Sequence, residues 1–214
     1  YAVTLLQIAD KSMAEQSTIL DTVKAKLIQA NTSTTSVAGR TAIAKDVAKL
    51  LEQLNNIAEQ TNYNGTNLLQ AARGTATLAG TRTASNGLSF QIGEGVADKI
   101  KTKTINSNVF GLALTTLAKV AQSGSKMTAA ATAGTTGVFT RTMASAGQKT
   151  IDSAITKLNG YRGDMGSTQK QVESAGRNLM TQSTNVKAAE SILRDVDYAK
   201  ESANFNKQNI ISQA

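Results

Sequence analysis

Hydrophobic side chains recur every seven residues through the last third of the chain, at Ile151, Leu158, Met165, Val172, Leu179, Val186 and Leu193. Steps of seven keep them on one seam of a helix, and a seam held at 3.5 residues per turn predicts a left-handed supercoil against other helices. A continuous helix over this stretch would be about 65 Å long. Three residues after each anchor stand Ala154, Tyr161, Thr168, Ala175, Gln182, Ala189 and Val196. Most are small or polar, so this second seam is thin and lets neighbouring helices approach closely. Gly160, Gly163, Gly166 and Gly176 interrupt the stretch, each costing about 1 kcal/mol against Ala in an exposed helix interior. The alternative is two shorter helices with a loop near Asn159–Gly166. The seven-residue phase survives across the glycines and favours one helix.

The first sixty residues repeat the pattern. Leu6, Met13, Leu20 and Leu27 are seven apart, with Ala9 and Val23 at the second seam position, which predicts a helix over 1–30. Asn31–Ser36 is a polar breaker that supplies hydroxyls for capping. Ile43, Val47, Leu50, Leu54 and Ile57 then alternate steps of four and three, predicting a second helix over 37–60. The breaker is short, so the two helices should lie antiparallel. Asn62–Gly65 ends the second helix, because an Asn-Gly pair favours positive φ.

From Leu68 to Ile105 the period changes. Leu88–Ile92 alternates apolar and polar residues, and Ile100–Ile105 alternates with β-branched residues. Asn86-Gly87 and Gly93–Gly95 supply turns, so this is read as a β-hairpin region, with an irregular loop as the alternative. Gly111–Gln122 reads as a short helix, and Ser123–Gly137 as a small-residue surface loop. The long helix should begin near Arg141–Ala146. The expected fold is mostly α with a small β-hairpin region, an elongated antiparallel helical bundle. Its parts are the helices of 1–61, the hairpin region of 62–110, a short variable connection over 111–141 and the long helix of 142–214.

Composition sharpens this picture. Aromatic residues make up only 4% of the 214 residues, and Trp and Pro are absent; long bundles can be built from Leu, Ile, Val and Ala instead. Cys and His are absent as well, which removes thiol chemistry, disulfides, the commonest general base and the commonest zinc ligand. No catalytic, metal or cofactor site is expected. No apolar run approaches the length of a membrane span. The formal charge of +8 is spread along the chain, densest at Lys99, Lys101 and Lys103. With few aromatics for stacking, it reads as solvated surface, and no nucleic-acid partner is expected. Arg194, Asp195 and Asp197 form the densest charged group. The two carboxylates are two residues apart and point different ways on a helix, so they read as salt links to neighbouring helices.

Three stretches resemble one family. Gln60-Thr61-Asn62-Tyr63-Asn64-Gly65, ahead of Leu68-Leu69, resembles the turn closing the second N-terminal helix of bacterial flagellins. Ser191–Phe205 (SILRDVDYAKESANF) resembles the flagellin C-terminal signature. Tyr161–Val172 (YRGDMGSTQKQV) is similar to the stretch feeding the long C-terminal helix, with extra glycines. The resemblance covers most of 1–70 and 142–214 and implies a rod-like core in which two N-terminal helices and one long C-terminal helix bundle beside a β-hairpin region. Flagellin terminal helices that line the inner tube of the filament are missing from both ends, so the chain reads as a trimmed core fragment.

The implied function is structural: a self-assembling subunit of the flagellar filament, working outside the cell. The family reaches that place by type III export without a cleaved signal peptide. The implied partners are flagellin itself, the filament cap, hook-junction proteins and an export chaperone. A hook–filament junction protein is the alternative. Helix or subunit packing is expected at Leu20, Val23, Leu27, Leu50, Leu54, Val172, Leu179, Val186, Leu193, Arg194, Asp195 and Asp197.

The resemblance also bears on Toll-like receptor 5, the vertebrate receptor for flagellin. Activating flagellins present Arg, Leu and Glu on the outer faces of the two N-terminal helices. The matching positions here are Thr22, Lys26 and Asp46, and all three depart from that pattern. The run Leu20–Leu27 (LDTVKAKL) resembles that of the Campylobacter and Helicobacter group, whose flagellins escape the receptor, so weak activation is expected. Flagellins of that group often carry O-linked sugars on Ser and Thr, and Ser123–Thr142 is the corresponding segment.

Overall fold

The computed structural model describes residues 2–71, 77–127 and 134–213, and side chains as far as Ala189. Helix α1 spans Ala2–Ala30. Leu6, Ala9, Met13, Gln16, Leu20, Val23, Leu27 and Ala30 are all fully buried along it, an unbroken alternation of three- and four-residue steps. Helix α2 spans Val37–Gln60 and is capped by Ser36, whose hydroxyl accepts from the Gly39 N–H at 3.0 Å. Such a cap satisfies one of the orphan donors of the first turn. Arg40 reaches back across the breaker, its Nε donating to the Ala30 carbonyl at 2.9 Å and its Nη2 to Thr32 at 3.2 Å. Those bonds satisfy carbonyls at the end of α1 and fold α2 antiparallel to it.

The buried stripe of α2 departs from the expected one. Ile43, Ala44, Val47, Leu51, Leu54 and Ala58 are buried, while Leu50 and Ile57 only pack against the edge of the core. From Ala44 to Ala58 the steps run three, four, three, four, a heptad alternation set one position away from the expected one at Leu51 and Ala58, with Ile43 widening the buried face. The cause is that α2 packs against both α1 and α3. A helix with two neighbours buries a wider face than a coiled-coil seam.

After α2 the chain makes a minimal hairpin, β1 (Asn62–Tyr63) with β2 (Thr66–Asn67). Asn64 and Gly65 have φ of 51° and 84°, the positive values a two-residue turn of the mirror-image type needs. A second antiparallel hairpin pairs β3 (Ser89–Gln91) with β4 (Lys99–Lys101), in the register Ser89 to Lys101, Phe90 to Ile100 and Gln91 to Lys99. Phe90 is half-buried against the core, whereas Ser89, Gln91, Lys99 and Lys101 are exposed. Both strands are shorter than their alternation suggests. Beyond β4, Ile105 stays opposite Ser85 in the same register, but its N–H donates to the Ser85 Oγ at 3.1 Å while its carbonyl accepts from the Ser85 N–H at 2.7 Å.

Helix α3 spans Thr115–Ser125. It starts four residues later than Gly111, because Val109–Ala113 forms a tight turn with Ala113 at φ 59° and Leu114 N–H bonded to the Val109 carbonyl at 2.8 Å. It also runs into the stretch expected as loop. Gly124 is buried there, and a Cβ on it would lie 2.8 Å from the Cβ of Phe139 and 3.1 Å from that of Ala44. Phe139 is fully buried and anchors the chain as it enters α4. Residues 128–133 of the Ser/Thr-rich segment lie outside the described residues.

Helix α4 runs unbroken from Arg141 to Gln213, about 110 Å at the helical rise. No loop occurs at Asn159–Gly166. Ala144, Ile151, Ala154, Leu158, Met165 and Thr168 are buried on the seam, while a Cβ at Gly160, Gly163 or Gly166 would meet no other atom within 4 Å. The glycines lie on the outward face, where they weaken the helix without disturbing its contacts. α4 is antiparallel to α1: Arg141 Nε donates to the Asn31 carbonyl at 2.9 Å, Lys24 pairs with Asp152 at 2.6 Å, and Arg162 with Asp10 at 3.1 Å. Carried on in this register, the first turn of α1 falls opposite Thr168–Val172.

Candidate functional site

The α1–α2 pair presents Thr22, Lys26 and Asp46 together. Thr22 is exposed on α1, its hydroxyl donating to the Thr18 carbonyl at 3.0 Å. Lys26 stands one turn further on, at the edge facing α2, and its Nζ lies 3.4 Å from Oδ2 of Asp46. The two side chains are 37% and 49% exposed, so the pair spans the groove in contact with water. An exposed ion pair of this kind stabilises by about 0–1 kcal/mol. Its chemical consequence is larger than its energy, because the surface of the groove carries a bound charge pair instead of an apolar side chain.

The packing residues divide into three groups. Leu20, Val23, Leu27 and Leu54 are fully buried, each contributing about 1.5–3 kcal/mol of apolar burial. Leu50 packs against the core half-buried, while Leu51 next to it is fully buried. On α4, Val172 is the last seam residue packed against the core; Leu179 is 41% exposed and Val186 66% exposed. These two keep the heptad phase, and among the described residues no element covers them. The side chains of Leu193, Arg194, Asp195 and Asp197 lie outside the described residues.

A buried polar cluster escapes the hydrophobic pattern altogether. Gln16 occupies the second seam position of α1 between Ala9 and Val23 and is fully buried. Its Nε2 donates to the carbonyls of Leu54 at 3.1 Å and Ser107 at 2.8 Å, and its Oε1 accepts from Ser107 Oγ at 2.6 Å. Nearby, Asn55 Oδ1 accepts from the Val109 N–H at 2.8 Å, and Asn55 Nδ2 donates to the Leu78 carbonyl at 3.2 Å. Asn108, also fully buried, donates to Gln70 Oε1 at 2.9 Å and accepts from the Gly111 N–H at 2.8 Å. The one sequence signal for this cluster is a glutamine where a heptad asks for an apolar residue.

From α4, Asp164 lies 3.6 Å from Lys103, and Lys157 Nζ donates to the Gly111 carbonyl at 2.5 Å. Both contacts tie the middle of the chain to α4. Among the described residues no helix is long and apolar enough to cross a membrane, and no group of three or more His, Cys, Asp or Glu side chains is placed to hold a metal.

Comparison with known proteins agrees with this architecture. The model of the bacterial flagellin N-terminal helical region matches residues 1–73, and that of the C-terminal helical region matches residues 148–214. The chain is 29% identical to a flagellin of Bacillus subtilis, over 99% of this chain and 71% of that protein. It is 28% identical to the flagellar filament 30.7 kDa core protein of Treponema maltophilum, over 99% of this chain and 69% of that protein. A shorter match, 52% identical, joins 29% of this chain to 12% of flagellin A from Helicobacter pylori. In three dimensions the chain is similar to the crystal structure of Bacillus cereus flagellin, with a TM-score of 0.59 and 22% identity over 88% of this chain and 91% of that one. The structure of FliC from Burkholderia pseudomallei gives a TM-score of 0.54 at 15% identity, over 79% and 99% of the two chains.

Proposed function

Since the chain belongs to the bacterial flagellins and is a structural subunit of the extracellular flagellar filament, we propose that the outer α1–α2 face makes it a poor activator of Toll-like receptor 5. The observation that carries this reading is the Lys26–Asp46 pair. A receptor built for an apolar anchor at position 26 and a free carboxylate at position 46 meets an ammonium and a carboxylate already engaged with each other. Docking would strip water from both charges without offering a better partner, and such desolvation offsets the gain from contact. Thr22 removes the planar, multiply donating group that an arginine would present there.

The test is a receptor reporter assay on this chain and on the variant Thr22→Arg/Lys26→Leu/Asp46→Glu. The expected result is little signal from the parent and at least a hundredfold gain in the variant. Activation by the parent at nanomolar concentration would overturn the proposal.

Assembly follows from the same rod. The uncovered seam at Leu179 and Val186 supports packing against further helices within the filament, and the Arg194, Asp195 and Asp197 group would add charged links there. Filament cap, hook-junction proteins and an export chaperone are the remaining proposed partners, with type III export as the route to the outside.

A further inference from the structure

We propose that Gln16 is a positioning residue that fixes where the 105–112 connector, and with it the β3–β4 hairpin, sits along the α1–α2 pair. The apolar seams cannot do this by themselves. Leu6, Met13, Leu20 and Leu27 repeat with a constant period, and Leu, Val and Ala contacts are non-directional, so sliding a docked segment along them changes little. A buried amide differs. Its donors and acceptor must meet partners at hydrogen-bond distance, and a buried polar group left unmatched is costly. One polar residue on an otherwise apolar seam is the device by which coiled coils select register.

Gln16 meets this requirement at a three-way junction. One donor goes to α2, through the Leu54 carbonyl; the other donor and the acceptor go to the main chain and side chain of Ser107. The amide therefore has its best match at one axial position of the connector. Asn55 and Asn108 hold the same segment from α2 and from Gln70, so the clasp is continuous from Ser107 to Gly111. Just upstream of it lie the exposed Lys99 and Lys101 face and the Lys103–Asp164 link. Subunits of a regular assembly must present the same surface in every copy, so a hairpin held at one height has a direct use.

The chain has no cysteine, which makes paired spin labels clean. Labels on Glu15→Cys and Thr104→Cys, both exposed positions, report the distance between α1 and the connector. The parent should give one narrow distance. Gln16→Met, close in volume and apolar, should keep its helix content, unfold more easily because the buried Ser107 hydroxyl and carbonyl lose their partner, and broaden that distribution at least twofold. Ser107→Ala, which leaves the Gln16 acceptor unmatched, should broaden it less. Met13→Leu on the same seam should leave it narrow. A narrow, unshifted distance in Gln16→Met would overturn the proposal, whatever its stability; if that variant does not fold, a narrow distance in Ser107→Ala overturns it.

Discussion

Residues 141–172 and 173–189 of α4 follow one heptad rule and live in different surroundings. In the first stretch Ile151, Leu158 and Met165 are sealed against the other helices; in the second, Leu179 and Val186 keep the phase and face outward. Nothing in the local sequence separates them. The difference is that α1 packs along the first stretch, whereas among the described residues no element packs over the second. A heptad states that a helix has a seam. It does not state what fills it, because hydrophobic burial rewards any apolar cover equally.

The largest test of this contrast is truncation on each side of the boundary. Leu158→Ala removes a fully buried side chain and should cost about 2–5 kcal/mol in denaturant unfolding. Leu179→Ala should change the stability of the isolated chain by less than about 0.5 kcal/mol. Equal losses would mean that the second stretch is covered after all. A middling effect is expected at the outward glycines. Gly163→Ala adds a methyl that meets no atom within 4 Å, so it should stabilise by up to about 1 kcal/mol; a loss would show that the outward face is packed in the isolated chain. The smallest effect belongs to the ion pairs that flank the covered stretch. Asp152→Asn breaks the exposed link to Lys24 and should cost no more than about 1 kcal/mol. That cost should shrink in molar salt, where the screening length is about 3 Å. A cost that salt leaves unchanged would point to packing and not charge as the source.

Much of the architecture could be read before any coordinates. The helix ends at Ser36 and Gln60 follow from the breaker and from the Asn64-Gly65 turn, both of them local chemistry. The continuity of α4 across three glycines also follows, since an apolar seam on one face tolerates weakness on the other. Leu50 was less legible. Leu50 and Leu51 each fit a three-four alternation, and only the packing of α2 between α1 and α3 decides which of them is fully buried. The start of α3 depended on a tight turn at Ala113, a residue type that does not advertise positive φ. In the candidate site, positions 22, 26 and 46 could be placed by resemblance, but the Lys26–Asp46 contact could not be found by spacing within one helix, because it spans two.

By itself the sequence determined the periods, the breakers and the faces: which residues are helical, which side of each helix is apolar, and where the chain must turn. These are properties of a few neighbouring residues, set by backbone sterics, capping and the repeat of side chains around a helix. The tertiary structure decided how far each seam is covered, which of Leu50 and Leu51 goes inside, what Gln16 bonds to and whether Lys26 has a partner. Each of these depends on the axial offset between segments distant along the chain. A repeating apolar pattern leaves that offset almost degenerate, and directional contacts such as those of Gln16 with Leu54 and Ser107 resolve it only after the segments have met.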